Sequence, residues 1–201
     1  MLFTTAPSNP AFNPVLVHEP VLLRAAAPSD YAAWASLREA SRTHLTEWEE
    51  AWTAEQAGPA AFRRRLKLYE RDRRRGGGLS LLLFRMSDNA LLGGVTLSNI
   101  RYGAARSAHL GYWVGAAHVR RGYATAAVQA LAAHAFGTID LNRLAAACQP
   151  ENIASQKLLE RCGFTREGLA RDYLMINGQW RDHFIYALTA RDYRAQGNKP
   201  S

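Results

Sequence analysis

The chain has 201 residues, of which 48% are hydrophobic, and its 25 lysines and arginines exceed its 17 acidic residues, giving a formal net charge of +8. This length and composition predict one globular domain with a sizeable core. They exclude a membrane span, because no apolar run approaches ~18 residues, and a signal peptide, because prolines interrupt the apolar N-terminus. The two cysteines lack metal-ligand spacing and predict free thiols in a reducing compartment. We therefore expect a cytoplasmic protein without a metal site.

Residues 1–20 are expected to form a flexible N-terminal extension, residues 21–193 the domain, and residues 194–201 a C-terminal tail. Apolar runs predict strands over 21–24, 79–85, 91–100, 108–114 and 143–148. Helical spacing predicts helices over 29–41, 60–74, 125–136 and 152–162. Ser29 is the expected N-cap of the first helix, and residues 44–52 are expected to form a loop or short turn.

The C-terminal region carries a hairpin signal, Asn177-Gly178, between apolar runs over 173–176 and 179–188. A strand–helix–strand unit among hairpins predicts an α/β (α+β) domain whose sheet is mostly antiparallel and flanked by helices.

The helix predicted over 60–74 is strongly basic. Eight cationic residues crowd this part of the chain: Arg63, Arg64, Arg65, Lys67, Arg71, Arg73, Arg74 and Arg75. They predict either a solvated helix face or a weak contact with RNA or a ribosome. Because no aromatic residues interleave the arginines as a stacking platform would, the solvated face is favoured.

A basic turn joins the strand over 108–114 to the alanine-rich helix that follows. Gly122 lets the backbone approach a ligand closely, and Arg120 and Arg121 stand beside the positive end of the helix dipole. The turn therefore predicts a site for a phosphate or pyrophosphate. The candidate cofactor-binding residues here are Trp113, Val114, Gly115, Val119, Arg120, Arg121, Gly122, Tyr123, Ala124 and Thr125.

The order of these elements resembles the GNAT superfamily of acyl-CoA-dependent N-acetyltransferases. Its turn pattern, Gln/Arg-x-x-Gly-x-Gly/Ala, is matched by residues 119–124, with Val119 departing from the usual first residue. Its Asn-x-x-Ser helix ending in Gly-Phe is matched by Asn152, Ser155 and the pair Gly163-Phe164. The stretches 45–49, 96–100 and 171–183 resemble the bacterial ribosomal-protein-alanine N-acetyltransferases. The resemblance implies a single GNAT-like domain with a twisted sheet and acetyl transfer from acetyl-CoA to the N-terminal α-amine of a protein, in that family an alanine of a ribosomal protein.

The resemblance also implies roles for individual residues. Backbone N–H groups around Val114 and Gly115 would polarise the thioester carbonyl. Asn152 would orient the pantetheine arm or a water, and Ser155 would donate a hydrogen bond to the departing thiolate. The alternative for Ser155 is a hydroxyl on the helix surface.

A strong acid–base pair is missing from the positions that the superfamily uses. Leu159 stands where many members have tyrosine, and Ala147 where some have glutamate. His109 is the candidate base, the alternative being a solvent-facing strand histidine, and Glu47, Glu49, Asp172 and Asp182 remain other sources. An α-amine with a pKa near ~7.7–8.0 is roughly one-tenth neutral at pH 7, against about four parts in ten thousand for lysine. A weak base therefore favours an α-amine acceptor.

The candidate acceptor-binding residues are Trp48, Asn99, Trp180 and His183. For the two tryptophans, burial in the core is the favoured interpretation. Two other functions stay open: acetylation of a small-molecule amine, and a ribosome- or RNA-associated binding protein.

Overall fold

Eight strands hydrogen-bond into one sheet across the part of the chain that the computed structural model describes, residues 10–197. In chain order they are β1 (Leu16–His18), β2 (Val21–Arg24), β3 (Leu79–Arg85), β4 (Leu91–Arg101), β5 (Ser107–Val114), β6 (Arg143–Cys148), β7 (Thr165–Ile176) and β8 (Gln179–Thr189). Their order in the sheet is β1-β2-β3-β4-β5-β6-β8-β7. Every neighbouring pair is antiparallel except β5 and β6. The mostly antiparallel mixed sheet predicted from the sequence is confirmed.

Within residues 10–197, six α-helices flank this sheet. They are α1 (Tyr31–Ala40), α2 (Arg42–Thr46), α3 (Pro59–Arg74), α4 (Tyr123–Gly137), α5 (Ile153–Arg161) and α6 (Ala190–Ala195). The helix α4 connects the parallel strands β5 and β6, as a crossover between parallel neighbours requires.

The two faces of the sheet bury separate cores. On one face, α4 packs Val128 and Leu131 against strand residues such as Leu83 and Leu144, all of them fully buried. On the other face, Trp34 of α1 and Phe62 of α3 pack together with their ring centroids 5.0 Å apart. The alternating residues of β5 serve both cores, because Tyr112 packs with the first and Trp113 with the second.

The N-terminal region departs from the sequence expectations. Part of the region before residue 21 packs on the domain, because β1 pairs with β2 and Phe12 is 3% exposed within the main core. Ser29 does not cap α1: residues Pro28–Asp30 form a 3-10 turn, in which the Asp30 carboxylate accepts the Ala27 N–H at 2.7 Å. Part of the expected 44–52 loop belongs to α2.

The expected termini are only partly described. Residues 1–9 of the N-terminal extension and 198–201 of the C-terminal tail lie outside the described residues. The remainder of the expected tail begins inside α6, which ends at Ala195.

The basic helix forms as α3, nearly over the range expected. Four of its cations are engaged within the chain: Arg73 and Arg74 pair with Glu70, Arg71 pairs with Asp72, and the Arg65 guanidinium lies 5.3 Å from the Trp34 ring centroid. Arg63 and Arg64 are exposed. The interpretation of a solvated helix face agrees with this arrangement.

Neither a membrane-spanning helix nor a cluster of metal-ligating side chains occurs in the described part of the chain. None of the helices within residues 10–197 combines the length and apolar character of a membrane span. The same residues contain no cluster of three or more His, Cys, Asp or Glu side chains able to hold a metal ion.

Candidate functional site

The sheet opens between its two parallel strands. Pairing of β5 with β6 begins at Ser107 and Arg143 and ends after three residues at His109 and Ala145. Beyond that point β5 continues along β4 to Val114, while β6 continues along β8 to Cys148. The space between the parted strands is called the cleft below.

Main-chain groups of β5 face the cleft. The Gly115 N–H donates to Leu92 O on the β4 side at 2.9 Å. Because hydrogen-bonded and non-hydrogen-bonded pairs alternate in an antiparallel ladder, the N–H groups of Tyr112 and Val114 point away from β4, into the cleft. The Val114 N–H therefore faces the cleft, and its expected role in polarising a thioester carbonyl stays a prediction. The expectation for Gly115 is wrong, since its N–H is already used, and Tyr112 was missed.

Close backbone approaches fix the end of β5. A Cβ on Gly93 would lie 2.1 Å from Trp113 O, and one on Gly115 would lie 2.4 Å from Leu37 Cδ1. The Ala116 N–H donates to the buried Ser41 Oγ at 2.9 Å. The strand is thus held to β4 and to α1 before the turn begins.

The turn between β5 and α4 exposes unpaired N–H groups. After a 3-10 turn, Ala116–His118, the chain passes through Arg120 with φ 60° and Gly122 with φ 80°. Gly122 is the N-cap of α4 and supplies no side-chain cap, so the first N–H groups of the helix have no intrahelical acceptor. A Cβ on Gly122 would meet nothing within 4 Å, which leaves open space in front of the helix.

The surroundings of this turn are positively charged. The pKa of His118 is lowered, first by burial and then by the nearby Arg85 and Arg121. Val119, Arg120 and Arg121 are exposed, whereas Tyr123, Ala124 and Thr125 are half-buried in the first turn of α4. Exposed N–H groups, a helix N-terminus and cations together favour an anion at this position.

A pair of hydroxyl groups joins the two sides of the cleft, one formed by β5 and the other by β6 and the helix α5 that follows it. Tyr112 Oη on β5 lies 2.6 Å from Ser155 Oγ on α5, the helix that follows β6. Burial raises the pKa of Tyr112 well above its usual value, so its phenol stays protonated. Ser155 also stands beside Cys148, whose pKa is raised, chiefly by burial. Ser155 is therefore not a plain surface hydroxyl, although it is half-exposed enough to be reached.

Asn152 has a structural task in the same helix. It is the N-cap of α5, and its Oδ1 accepts the Ser155 N–H at 3.0 Å. This cap fixes the start of α5 and with it the position of Ser155. The side-chain NH₂ group of Asn152 makes no other hydrogen bond with residues 10–197 and is left for a ligand or water.

The positions where the superfamily places its acid and base carry no chemistry here. Leu159 is fully buried in the main core and Ala147 is exposed on β6. His109 is the last β5 residue paired with β6 and its side chain is exposed, which agrees with the solvent-facing alternative. Strand alternation places it on the Trp113 face of the sheet, opposite Tyr112.

On that opposite face, a cation is held between two indole rings. The Arg38 guanidinium lies 3.8 Å from the Trp52 ring centroid and 5.1 Å from that of Trp113. Its Nη2 lies 2.5 Å from Glu49 Oε1 as an ion pair, without hydrogen-bond geometry at that oxygen. No local sequence pattern predicts this group, because α1, β5 and residues 47–52 bring it together from separate parts of the chain.

Residues 47–52, named the crossing segment, span the mouth of the cleft. The buried Gln149, which follows β6, donates from Nε2 to Glu47 O at 3.3 Å. Two residues later, Glu49 pairs with Arg38 on the β5 side. The tip of the β7–β8 hairpin completes the attachment: Asn177 Oδ1 accepts the Ala51 N–H at 3.0 Å, and its Nδ2 donates to Thr46 O.

The four predicted acceptor-binding residues are not brought into one group. Trp48 is half-buried in the crossing segment, and Asn99 is exposed at a β4 bulge with φ 51°. His183 is 3% exposed, with Nδ1 3.0 Å from Arg181 O and its ring centroid 5.7 Å from that of Tyr173. Trp180 is 58% exposed on β8, so the favoured interpretation of a core tryptophan is wrong for it.

Comparisons with known proteins agree on one family. Residues 21–165 match the acetyltransferase (GNAT) domain. The probable N-acetyltransferase YjcK of Bacillus subtilis is 39% identical over 110 residues, 55% of this chain and 61% of that protein, so this chain spans about three-fifths of that relative. The ribosomal protein uS5-alanine N-acetyltransferase of Escherichia coli is 32% identical over 166 residues, 82% of this chain and 86% of that protein.

A solved structure gives the same result at the level of the fold. Mycobacterium smegmatis RimJ, in complex with CoA-disulfide, superposes with a TM-score of 0.81 at 32% identity, covering 92% of this chain and 93% of that one. None of these comparisons supports an RNA partner for α3.

Proposed function

The chain belongs to the GNAT acetyltransferase family, and from that premise we propose that it acetylates the α-amine of a protein N-terminus, with an alanine-starting ribosomal protein as the first acceptor to test. The family predicted from the turn and helix signatures is confirmed, and with it acetyl-CoA as the acetyl donor. The acceptor is proposed from the resemblance to enzymes named for ribosomal-protein alanine acetylation.

The observation that carries the proposal is the parted pair of strands with hydroxyls on one side. Acetyl-CoA would place its pyrophosphate on residues 119–125 and extend its pantetheine arm along β5. The N–H groups of Tyr112 and Val114 are turned toward that path and would stabilise charge on the thioester oxygen. Asn152 would contact the arm or a water through its free NH₂ group.

The chemistry follows from these positions. The neutral α-amine attacks the thioester carbon, the C–N bond forms and the C–S bond breaks. The departing thiolate takes a proton from Ser155 as Ser155 takes one from Tyr112 through their hydrogen bond. Tyr112, whose raised pKa favours the phenol, regains its proton from water, into which the amine proton is released, so that the net transfer is from the amine to the sulfur. His109, exposed at the end of the β5–β6 pairing, is the candidate to remove the amine proton through water. An α-amine needs little help at this step, because about a tenth of it is neutral at pH 7.

An acceptor panel tests this function directly. Acetyl-CoA-dependent release of free thiol would be measured with an alanine-starting peptide, with the same peptide blocked at its α-amine but carrying lysine, and with a polyamine. We expect turnover on the first peptide alone. Turnover confined to the polyamine would overturn the protein acceptor while leaving the family and the donor in place.

A further inference from the structure

We propose that Glu49, Arg38 and Trp52 form the subsite that recognises the first residue of the acceptor, its ammonium group together with its own peptide carbonyl. This inference rests on the N-terminal acetyltransferase function proposed above and names the residues that would distinguish an α-amine from other amines.

The subsite lies across the mouth of the cleft. Glu47 O is bonded to Gln149 beyond β6, and Glu49 is paired with Arg38, which stacks over Trp113 of β5. Because the two sides of the cleft are bridged within three residues of chain, the Glu49 carboxylate stands above the cleft. It does so on the face opposite the Tyr112–Ser155 hydroxyls. An amine held there approaches the thioester from the side away from the thiolate's proton donor.

Two donors of this group, Arg38 Nε and Trp52 Nε1, are buried without a hydrogen-bond partner among residues 10–197. The third buried polar atom, Glu49 Oε1, lies 2.5 Å from Arg38 Nη2 in the ion pair. Buried polar atoms are nearly always bonded in folded proteins, and each unbonded one costs about 1–3 kcal/mol. Two unbonded donors beside a carboxylate indicate a polar molecule that residues 10–197 do not supply.

The two unbonded donors and the Glu49 carboxylate together match one kind of ligand. A protein N-terminus offers an ammonium donor and, one carbon away, a carbonyl acceptor. The ammonium pairs with the carboxylate of Glu49, whose side chain is 33% exposed. The carbonyl accepts from Arg38 Nε or Trp52 Nε1. A lysine side chain or a polyamine carries no carbonyl beside its amine and leaves both donors unpaired.

Arg38 acts in this subsite mainly by position. Its side chain is 10% exposed and is fixed between the faces of Trp52 and Trp113. It therefore neutralises the inner side of the Glu49 carboxylate in the free enzyme and leaves the outer side for the acceptor.

The test compares two ligands and two variants. Dissociation constants in the presence of CoA would be measured for an alanine-starting peptide and for the same peptide with its α-amine replaced by hydrogen. Glu49→Gln is the test variant, and Glu50→Gln, at the adjacent exposed carboxylate, is the matched control. A second acceptor, in which the first peptide carbonyl is reduced to methylene, tests the two donors through Trp52→Phe.

We expect the wild type and Glu50→Gln to prefer the peptide with the amine at least tenfold, and Glu49→Gln to lose that preference with an unchanged KM for acetyl-CoA. Likewise, Trp52→Phe should lower the preference for the carbonyl-containing peptide severalfold. The subsite is overturned if Glu49→Gln keeps the preference, or if it weakens both peptides equally. If the wild type turns over the polyamine instead of the peptide, the proposed protein acceptor is wrong. In that case, an unchanged KM for the polyamine in Glu49→Gln would overturn the subsite separately.

Discussion

On the β5 side of the cleft the main chain supplies the binding groups, whereas across its mouth side chains from distant segments supply them. The first region, called the donor side, comprises the end of β5, the turn at residues 115–122 and the start of α4. The second, the acceptor side, comprises the crossing segment, Arg38 and the β7–β8 hairpin tip. The donor side is fixed by backbone contact in the core, and the acceptor side by a few hydrogen bonds and one ion pair. The comparison indicates that substitutions on the donor side threaten the fold, while those on the acceptor side change which molecule is bound.

The largest effect is expected from Gly93→Ala, on β4, where the residue packs against the end of β5 on the donor side. Its new Cβ would lie 2.1 Å from Trp113 O, a backbone atom that cannot move without shifting β5. We expect a loss of about 3 kcal/mol or more in the free energy of unfolding, measured by urea denaturation.

Gly178→Ala is the matched change on the acceptor side. Gly178 has φ +74° with nothing within 4 Å of a new Cβ, so only about 1 kcal/mol of backbone strain is expected. Equal losses in the two variants would contradict the contrast between the two sides.

A smaller but purely catalytic effect is expected from Ser155→Ala. The variant loses the hydroxyl that bonds Tyr112 across the cleft at 2.6 Å, while Asn152 still caps α5 through the backbone N–H of residue 155. We expect kcat to fall about 100-fold, the scale of a single acid–base group, with little change in the KM for acetyl-CoA. If Ser155→Ala lowered the thermal stability as much as the truncation of a core residue does, the role of Ser155 would be structural and not catalytic.

The smallest effect is expected from Asn177→Gly at the hairpin tip. Glycine keeps the positive φ of 49° and removes two side-chain bonds, one to Ala51 N in the crossing segment and one to Thr46 O at the end of α2. Each such bond contributes about 1 kcal/mol, so the KM for the acceptor peptide should rise severalfold while that for acetyl-CoA stays constant. If the KM for acetyl-CoA rose instead, the crossing segment would belong to the donor side.

The donor side could be predicted from the sequence because its signals are local. Gly122, the arginines beside it and the alanine-rich helix follow one another along the chain, and the turn they predict is the one that forms. The hairpin at Asn177-Gly178 and the helix α3 were predictable for the same reason. The role of Tyr112 was missed, because only the register of β4 on β5 shows which N–H groups face the cleft.

The acceptor side could not be predicted, because its contacts join residues that are far apart in sequence. Gln149 meets Glu47 across 102 residues and Asn177 meets Ala51 across 126. Among the candidate bases named from the sequence, nothing local separates Glu49 from Glu47. Only the packing of α1 against β5, which buries Arg38 between two tryptophans, distinguishes them. The pairing of β1 with β2 was missed because the three residues of β1 are too few to show a pattern.

The short ladder between β5 and β6 has a consequence for the energetics of the whole domain. Only three residue pairs join the block β1–β5 to the block β6–β8 within the sheet. A molecule that binds in the cleft contacts both blocks. Because it binds only the folded chain, its binding increases the free energy of unfolding. At a free concentration 100 times the dissociation constant, this linkage amounts to about 2.7 kcal/mol. A higher concentration of acetyl-CoA around the protein therefore increases the fraction of copies that are folded.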